Sequence, residues 1–203
     1  MATLDDILTT QKNGVVAINN LSQSLGSFYT SYVYLAGATT SGSVTSTTAQ
    51  TVARGSGRFV SYTTAATAGS TAGLVYDSVS FATTSATGTG SIATVGYAGV
   101  NAFKVNDRVA IYNMTPAGYN AVTATVTAVD TTNNTFSYSN ATTAAQTIAG
   151  IVFKIYDYTT DRNLLLSSLN GTLGTYPINV NFTYGLVAIP AASQFVNITY
   201  SIS

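Results

Sequence analysis

From Ser91 onward the chain keeps one rhythm. Short runs of Val, Ile, Thr, Tyr and Phe alternate with clusters of Asn, Asp, Gly or Pro. The runs are Ile92–Val95, Phe103–Tyr112, Val122–Val129, Thr135–Tyr138, Ile151–Asp157, Tyr176–Phe182, Gly185–Pro190 and Phe195–Ile202. Turns fall at Asn106–Asp107, Thr115–Asn120 and Asp130–Asn134. Strands recurring at intervals of about 8–12 residues predict a small barrel or sandwich. Composition agrees. There is no Glu in the chain and there are only three Lys (Lys12, Lys104, Lys154), so the usual residues of exposed helices are nearly missing.

The earlier half is less regular. Arg58–Thr63 and Leu74–Ser78, with Gly69–Gly73 between them, predict a hairpin. Phe28–Leu35 reads as a strand or a sticky extended linker. Ala36–Gln50 and Ala82–Gly90 are almost wholly small and polar, and read as loop and linker. Arg162–Leu169 reads as a short strand or one helical turn. Pro190 ends its strand or marks an edge. Ile155-Tyr156-Asp157 echoes Val75-Tyr76-Asp77.

One segment reads as a helix, residues 1–27. Thr3 can cap it, and Asp5 and Asp6 sit in the first turn, where carboxylates favour the helix dipole. Leu4, Leu8, Gln11, Val15, Ile18, Ser22 and Leu25 follow at alternating four- and three-residue steps, a coiled-coil seam. Gly14 weakens it by roughly 1 kcal/mol relative to Ala. A helix this short needs partners. Either it packs on the body of its own chain or, the expectation favoured because no second helix follows, two or three copies bundle through Leu4, Leu8, Gln11, Val15, Ile18 and Leu25. The polar positions Gln11 and Ser22 suit partial packing on a neighbouring subunit better than a long freestanding coil.

The chemistry available is narrow. The chain has no His, Cys or Glu, and its seven Asp are scattered. Without the usual general bases, nucleophile partners and metal ligands, no catalytic, cofactor or metal residue is assigned, and an enzyme is not expected. Asp157, Asp161 and Arg162 are read as a structural ion pair rather than a cation site, and Asp107 as an Asx-type turn. Gly55-Ser56-Gly57 lacks the strand-to-helix setting of a phosphate loop. Arg54 and Arg58 beside it either are solvated loop charges or meet an acidic partner surface. Zero net charge disfavours nucleic acid. No apolar run approaches the roughly 18 residues of a membrane span, and the start lacks the pattern of a signal peptide. Charged residues make up only 7 % of the chain, weak protection against aggregation for a monomer but acceptable inside a large assembly. The tyrosines of the barrel, Tyr97, Tyr112, Tyr119 and Tyr138, read mainly as core or subunit packing. Tyr112, Pro116, Tyr119 and Asn120 together form the candidate outer contact surface for glycan.

Two stretches carry a resemblance. Met1–Asn19, the segment Gly55-Ser56-Gly57-Arg58-Phe59-Val60-Ser61, and the ending from Gly174-Thr175-Tyr176-Pro177-Ile178 through Gly185-Leu186-Val187 to Thr199-Tyr200-Ser201 resemble short structural proteins of tailed bacteriophages, of the capsid-decoration or head-fibre kind. The middle, from about Ser91 to Gly150, resembles a module of phage fibre and appendage proteins. Its marks are Phe103–Val109, Thr115–Asn120, Val126–Val129 and Thr135–Tyr138.

The expected architecture is mainly β. A short N-terminal α-helix (1–27) precedes an antiparallel β-sandwich or barrel base (28–81 plus 151–203), into which a second small β-barrel (82–150) is inserted, with its incoming and outgoing strands side by side. The resemblance implies a virion structural protein on the particle surface, a homotrimer that decorates the capsid and contacts the major capsid protein or other virion proteins. The alternative is a tail, neck or collar appendage meeting host-surface glycan.

Overall fold

The computed structural model describes residues 11–13, 39–40, 49–66 and 72–202. The chain divides into two units, Met1–Thr39 and Thr40–Ser203. In the first, residues 11–13 are helical and exposed. The rest of the expected helix lies outside the described residues, as does Phe28–Leu35.

The second unit is built from antiparallel strands. Its first sheet runs β1 (Thr39–Thr40), β16 (Phe195–Ile202), β3 (Gly57–Ala66), β14 (Gly174–Phe182). Its second runs β13 (Leu165–Leu169), β4 (Gly73–Asp77), β15 (Gly185–Ile189), β2 (Gln50–Arg54). Its third runs β8 (Ala121–Thr125), β7 (Arg108–Tyr112), β11 (Ile151–Asp157), β5 (Ser80–Gly88), β6 (Ile92–Tyr97), β10 (Thr135–Ser139), β9 (Ala128–Asp130), with β12 (Arg162–Asn163) paired to β11. The two ends of that path, β8 and β9, are separated only by Val126 and Thr127. Val126 N–H donates to the Asp107 carbonyl and Thr127 N–H to the Ser137 carbonyl. The expected single strand Val122–Val129 is therefore bent at these two residues, and the bend closes the third sheet into a barrel.

Three apolar cores follow from side-chain alternation. The first two sheets face each other over Phe59, Tyr62, Val75, Leu169, Phe182, Leu186, Ile198 and Tyr200. The barrel interior holds Tyr97, Phe103, Val109, Ile111, Phe136, Tyr138 and Val152, with ring centroids of Tyr97 and Phe103 4.7 Å apart. The third core joins the second sheet to the outer wall of the barrel, through Tyr76, Val187 and Ile189 on one side and Ala110, Phe153 and Ile155 on the other. Successive residues of a strand point to opposite faces. Val109 and Ile111 thus enter the barrel while Ala110 faces the sandwich. Leu186 and Ala188 enter the sandwich while Val187 and Ile189 face the barrel. Strands buried on both sides read as continuous apolar runs, as Gly185–Ile189 does. Each large side chain so buried contributes about 1.5–3 kcal/mol.

Three expectations are corrected. Arg58–Thr63 and Leu74–Ser78 are not a hairpin, because β3 and β4 belong to different sheets of the sandwich. Ala82–Gly90 is not a linker, because β5 is a central barrel strand between β11 and β6. Its small residues fit that place: Ala86 fills the barrel interior, and the buried Thr83 accepts a 2.8 Å bond from Gly150 N–H. The echoing strands β4 and β11 do not pair either. The strand that pairs with β11 is β5, with Phe81 opposite Val152, so the chain enters and leaves the barrel through neighbouring strands. Arg162–Leu169 is strand, as β12 and β13. Pro190 follows the end of β15, an interior strand.

Candidate functional site

Of the expected stem residues, Gln11 is helical and exposed. Leu4, Leu8, Val15, Ile18 and Leu25 lie outside the described residues.

The expected outer contact surface does not form. Tyr119 is fully buried, its hydroxyl donating to the Ala144 carbonyl at 2.6 Å, while its own carbonyl accepts from Tyr138 at 2.6 Å. Burial, with the neighbouring Tyr119 adding to it, raises the Tyr138 hydroxyl far above its ordinary value. Tyr112 is half-buried, stacked on Phe153 at 6.2 Å in the core between sandwich and barrel. Its hydroxyl is raised by burial and then by Tyr76. Asn120 bonds back to Met114, accepting from its N–H at 2.9 Å and donating to its carbonyl at 3.1 Å. Pro116 is half-buried. These four residues fold the Thr115–Asn120 turn and its surroundings. An aromatic residue in a turn looks like a surface residue in sequence, but here the turn closes over the end of the barrel.

The charged groups act mainly as internal fasteners. Asp77 and Asp107 have no exposed surface. Asp77 accepts from the N–H groups of Thr183 and Tyr184 at 2.9 and 2.8 Å, and from Arg162 at 3.0 Å. Asp107 accepts from Lys104 N–H at 2.8 Å and Tyr158 N–H at 3.0 Å, with Lys154 Nζ at 2.9 Å. It is more than the expected turn residue. Asp77 ends a strand of the sandwich and Asp107 precedes a strand of the barrel. Together they grip the β11–β12 hairpin from opposite sides, through Arg162 and through Lys154 and Tyr158. Asp157 sits 3.4 Å from Lys154. Burial pushes its carboxyl up, but Lys154 and the Thr159 N–H outweigh this and hold it below the ordinary value. Asp161 accepts from the Tyr156 hydroxyl, which raises that hydroxyl above its usual value. Arg162 pairs with Asp77, not with its neighbours in sequence. Among the described residues no group of three or more His, Cys, Asp or Glu can hold a metal ion.

Two surfaces remain. One is a cleft of about 180 Å³ at the seam of sandwich and barrel, lined by Val79, Phe81, Phe103, Leu164, Tyr184 and the Lys154–Asp157 pair. The other is the outer face of the first sheet. There Arg58 lies opposite Asn181 on β14 and Ser201 on β16. Gly55 turns the chain at φ +88°, and any side chain on Gly57 would collide with the Ser201 carbonyl and the Phe182 ring. The Gly55-Ser56-Gly57 motif is thus a tight turn and a close strand approach. Arg54 donates to the Ser80 carbonyl at 3.0 Å, while Arg58 makes no ion pair among the described residues.

The chain matches no protein-family model, no curated protein and no solved structure. Among the described residues no helix is long and apolar enough to cross a membrane.

Proposed function

We propose that this chain is a structural component of a tailed-phage virion, a homotrimer that decorates the capsid by assembly and surface display rather than by catalysis. The two sandwich sheets act as the base, the barrel running from β5 to β12 (residues 80–163, wider at both ends than the expected 82–150) as the displayed insertion, and residues 1–27 as the stem that joins copies to one another and to the shell. The observation that carries this reading is the use of the charged groups. In a chain with seven acids and seven bases, the two carboxylates that are fully buried among the described residues both fasten the hairpin where sandwich meets barrel. A barrel fixed by an extended apolar seam and two ion pairs with buried carboxylates is a rigid mount, suited to display. The sequence resemblance to phage decoration proteins and the sparse charge point the same way.

The test is removal of residues 1–25. The truncated protein is expected to keep its β-structure by circular dichroism while losing both trimerisation and attachment to particles. A truncated protein that remains trimeric and still binds particles would sink the reading.

A tail, neck or collar appendage that meets host-surface glycan is the second reading. Tyr158 favours it. This ring is 56 % exposed, next to Tyr156, over which Arg108 stacks at 5.1 Å, and close in sequence to Asp161. Rings flanked by hydrogen-bonding groups suit sugar stacking. Binding on a glycan array that Tyr158→Ala abolishes would support it, and an array without binding would remove it.

A further inference from the structure

We propose that the cleft where the sandwich meets the barrel binds the acetamido group of an N-acetylated hexosamine. The proposal rests on neither reading of the function above.

The cleft is apolar except at one place. Val79 and Phe81 enter it at the start of β5, Phe103 precedes β7, Leu164 lies between β12 and β13, and Tyr184 sits in the turn between β14 and β15. Its charged lining is Lys154 and Asp157, both on β11. Pockets for drug-sized molecules run to about 300–1,000 Å³, so a cleft of about 180 Å³ takes something smaller.

The charged groups define that ligand. Lys154 Nζ lies 2.9 Å from Asp107 and 3.4 Å from Asp157. An anion would have to displace one of two carboxylates from a single ammonium. A cation would meet Lys154 at close range, where like charges repel. The ligand is therefore neutral. Of the three protons of an ammonium, two are taken by Asp107 and Asp157, which leaves one to donate. Asp157 accepts from Lys154 and from Thr159 N–H, and a carboxylate with about four acceptor positions has room for another donor. A donor and an acceptor side by side among apolar walls match a secondary amide that carries a methyl group. Its carbonyl accepts from Lys154, its N–H donates to Asp157, and its methyl packs on Phe81, Phe103 and Leu164. Both hydrogen bonds are charge-assisted.

The walls are set before a ligand arrives, which lowers the cost of ordering them. Asp157 is held by Thr159 N–H at 2.9 Å, and the Phe81 and Phe103 rings meet edge to face at 5.8 Å. Tyr184 is anchored through its N–H, which donates to the buried Asp77 at 2.8 Å. Tyr184 also selects the rest of the ligand. It lines the cleft yet is 40 % exposed, so it offers an apolar face at the mouth. A rigid pyranose ring stacks on such a face, whereas the flexible chain of an acetylated lysine gains little from it.

The test is titration of the full chain, followed by ligand saturation transfer and protein amide shifts in NMR. N-acetylglucosamine or N-acetylgalactosamine is expected to bind in the millimolar range, with the acetyl methyl taking the strongest saturation. Glucose, which lacks the amide, is expected to bind about 10-fold more weakly or not at all. Asp157→Ala should weaken binding about 10-fold and Tyr184→Ala about 3-fold or more. Ala102→Leu, which fills part of the cleft, should abolish it. Tyr184→Ala and Ala102→Leu carry the test if Asp157→Ala does not fold. Tyr158→Ala, outside the cleft lining, should change nothing. Binding of neither acetylated sugar, glucose binding equally well, or an N-acetyl-lysine amide binding in their place overturns the proposal. Sugar binding that Tyr158→Ala removes and Tyr184→Ala spares also overturns it, and leaves the glycan contact at Tyr158 standing.

Discussion

The first and second sheets of the sandwich share one core but have opposite outer lives. β16 alternates: Val196, Ile198 and Tyr200 are buried in the core, while Asn197 and Thr199 between them are half-exposed on the other face. β15 does not alternate, and all five of its residues are buried. The reason is the neighbour. The second sheet is covered on its far side by the barrel, so Val187 and Ile189 meet Phe153 and Ile155. The far side of the first sheet carries hydroxyls, amides and Arg58. The second sheet is therefore where the two β-bodies are welded together, while the first turns a polar face away from the barrel.

That contrast can be broken experimentally. The largest expected effect is at the clamps on the β11–β12 hairpin. Asp107→Ala leaves Lys154 and the Tyr158 N–H without their buried acceptor, and should cost about 3–5 kcal/mol in urea unfolding. A loss below 1 kcal/mol would mean the hairpin is held by apolar packing alone. Next, Leu186→Ala empties the sandwich core and Phe153→Ala the seam, at about 2–5 and 3–5 kcal/mol. If the weld is real, Phe153→Ala also separates the unfolding of sandwich and barrel into two transitions in calorimetry. A single transition would show that the Asp77–Arg162 ion pair and the two chain crossings couple them without Phe153.

The first sheet should behave differently residue by residue. Ile198→Ala should cost about 2–5 kcal/mol and its neighbour Thr199→Ala no more than about 0.5 kcal/mol. Equal costs would contradict a one-sided sheet. The smallest effect is acid sensitivity. Asp157 and Asp130 are held below the ordinary carboxylate value, Asp130 by the side chain and N–H of Asn133 and by Thr132 N–H. A depressed folded value contributes stability that is full above the unfolded pKa of about 3.9, and is lost as pH falls through the folded value. Melting temperature should thus be insensitive to these two groups above about pH 5 and decline below about pH 4. Asp157→Asn should flatten part of that decline.

The sequence made some of this legible and hid the rest for physical reasons. Strands with one wet face were visible, because Tyr176–Phe182 and Phe195–Ile202 alternate. β11 and β15 were visible as apolar runs, though a run does not say which two layers it separates. β5 was hidden. Thr, Ala and Ser read as linker until the barrel needs small residues between two neighbours, as at Ala86 and Thr83. The bend at Val126 and Thr127 was hidden because β-branched residues read straight through it. The mistaken contact surface has the same origin. Tyr119 sits in a Pro-Gly turn that looks exposed, yet its ring plugs the barrel. Asp77 and Arg162 carried a signal that went unread: in a chain this poor in charge, an Asp ending a buried strand needs a cation, and Arg162 is far from it in sequence. Arg58 stands beside two glycines in sequence, but its place between Asn181 and Ser201 is a property of the folded sheet.

The central claim is that assembly is this protein's function. Counting the chain in purified particles, by quantitative mass spectrometry against the major capsid protein, tests it most directly. The account predicts hundreds of copies per particle, in multiples of three. Particles that contain none, and infect normally without the gene, would contradict it.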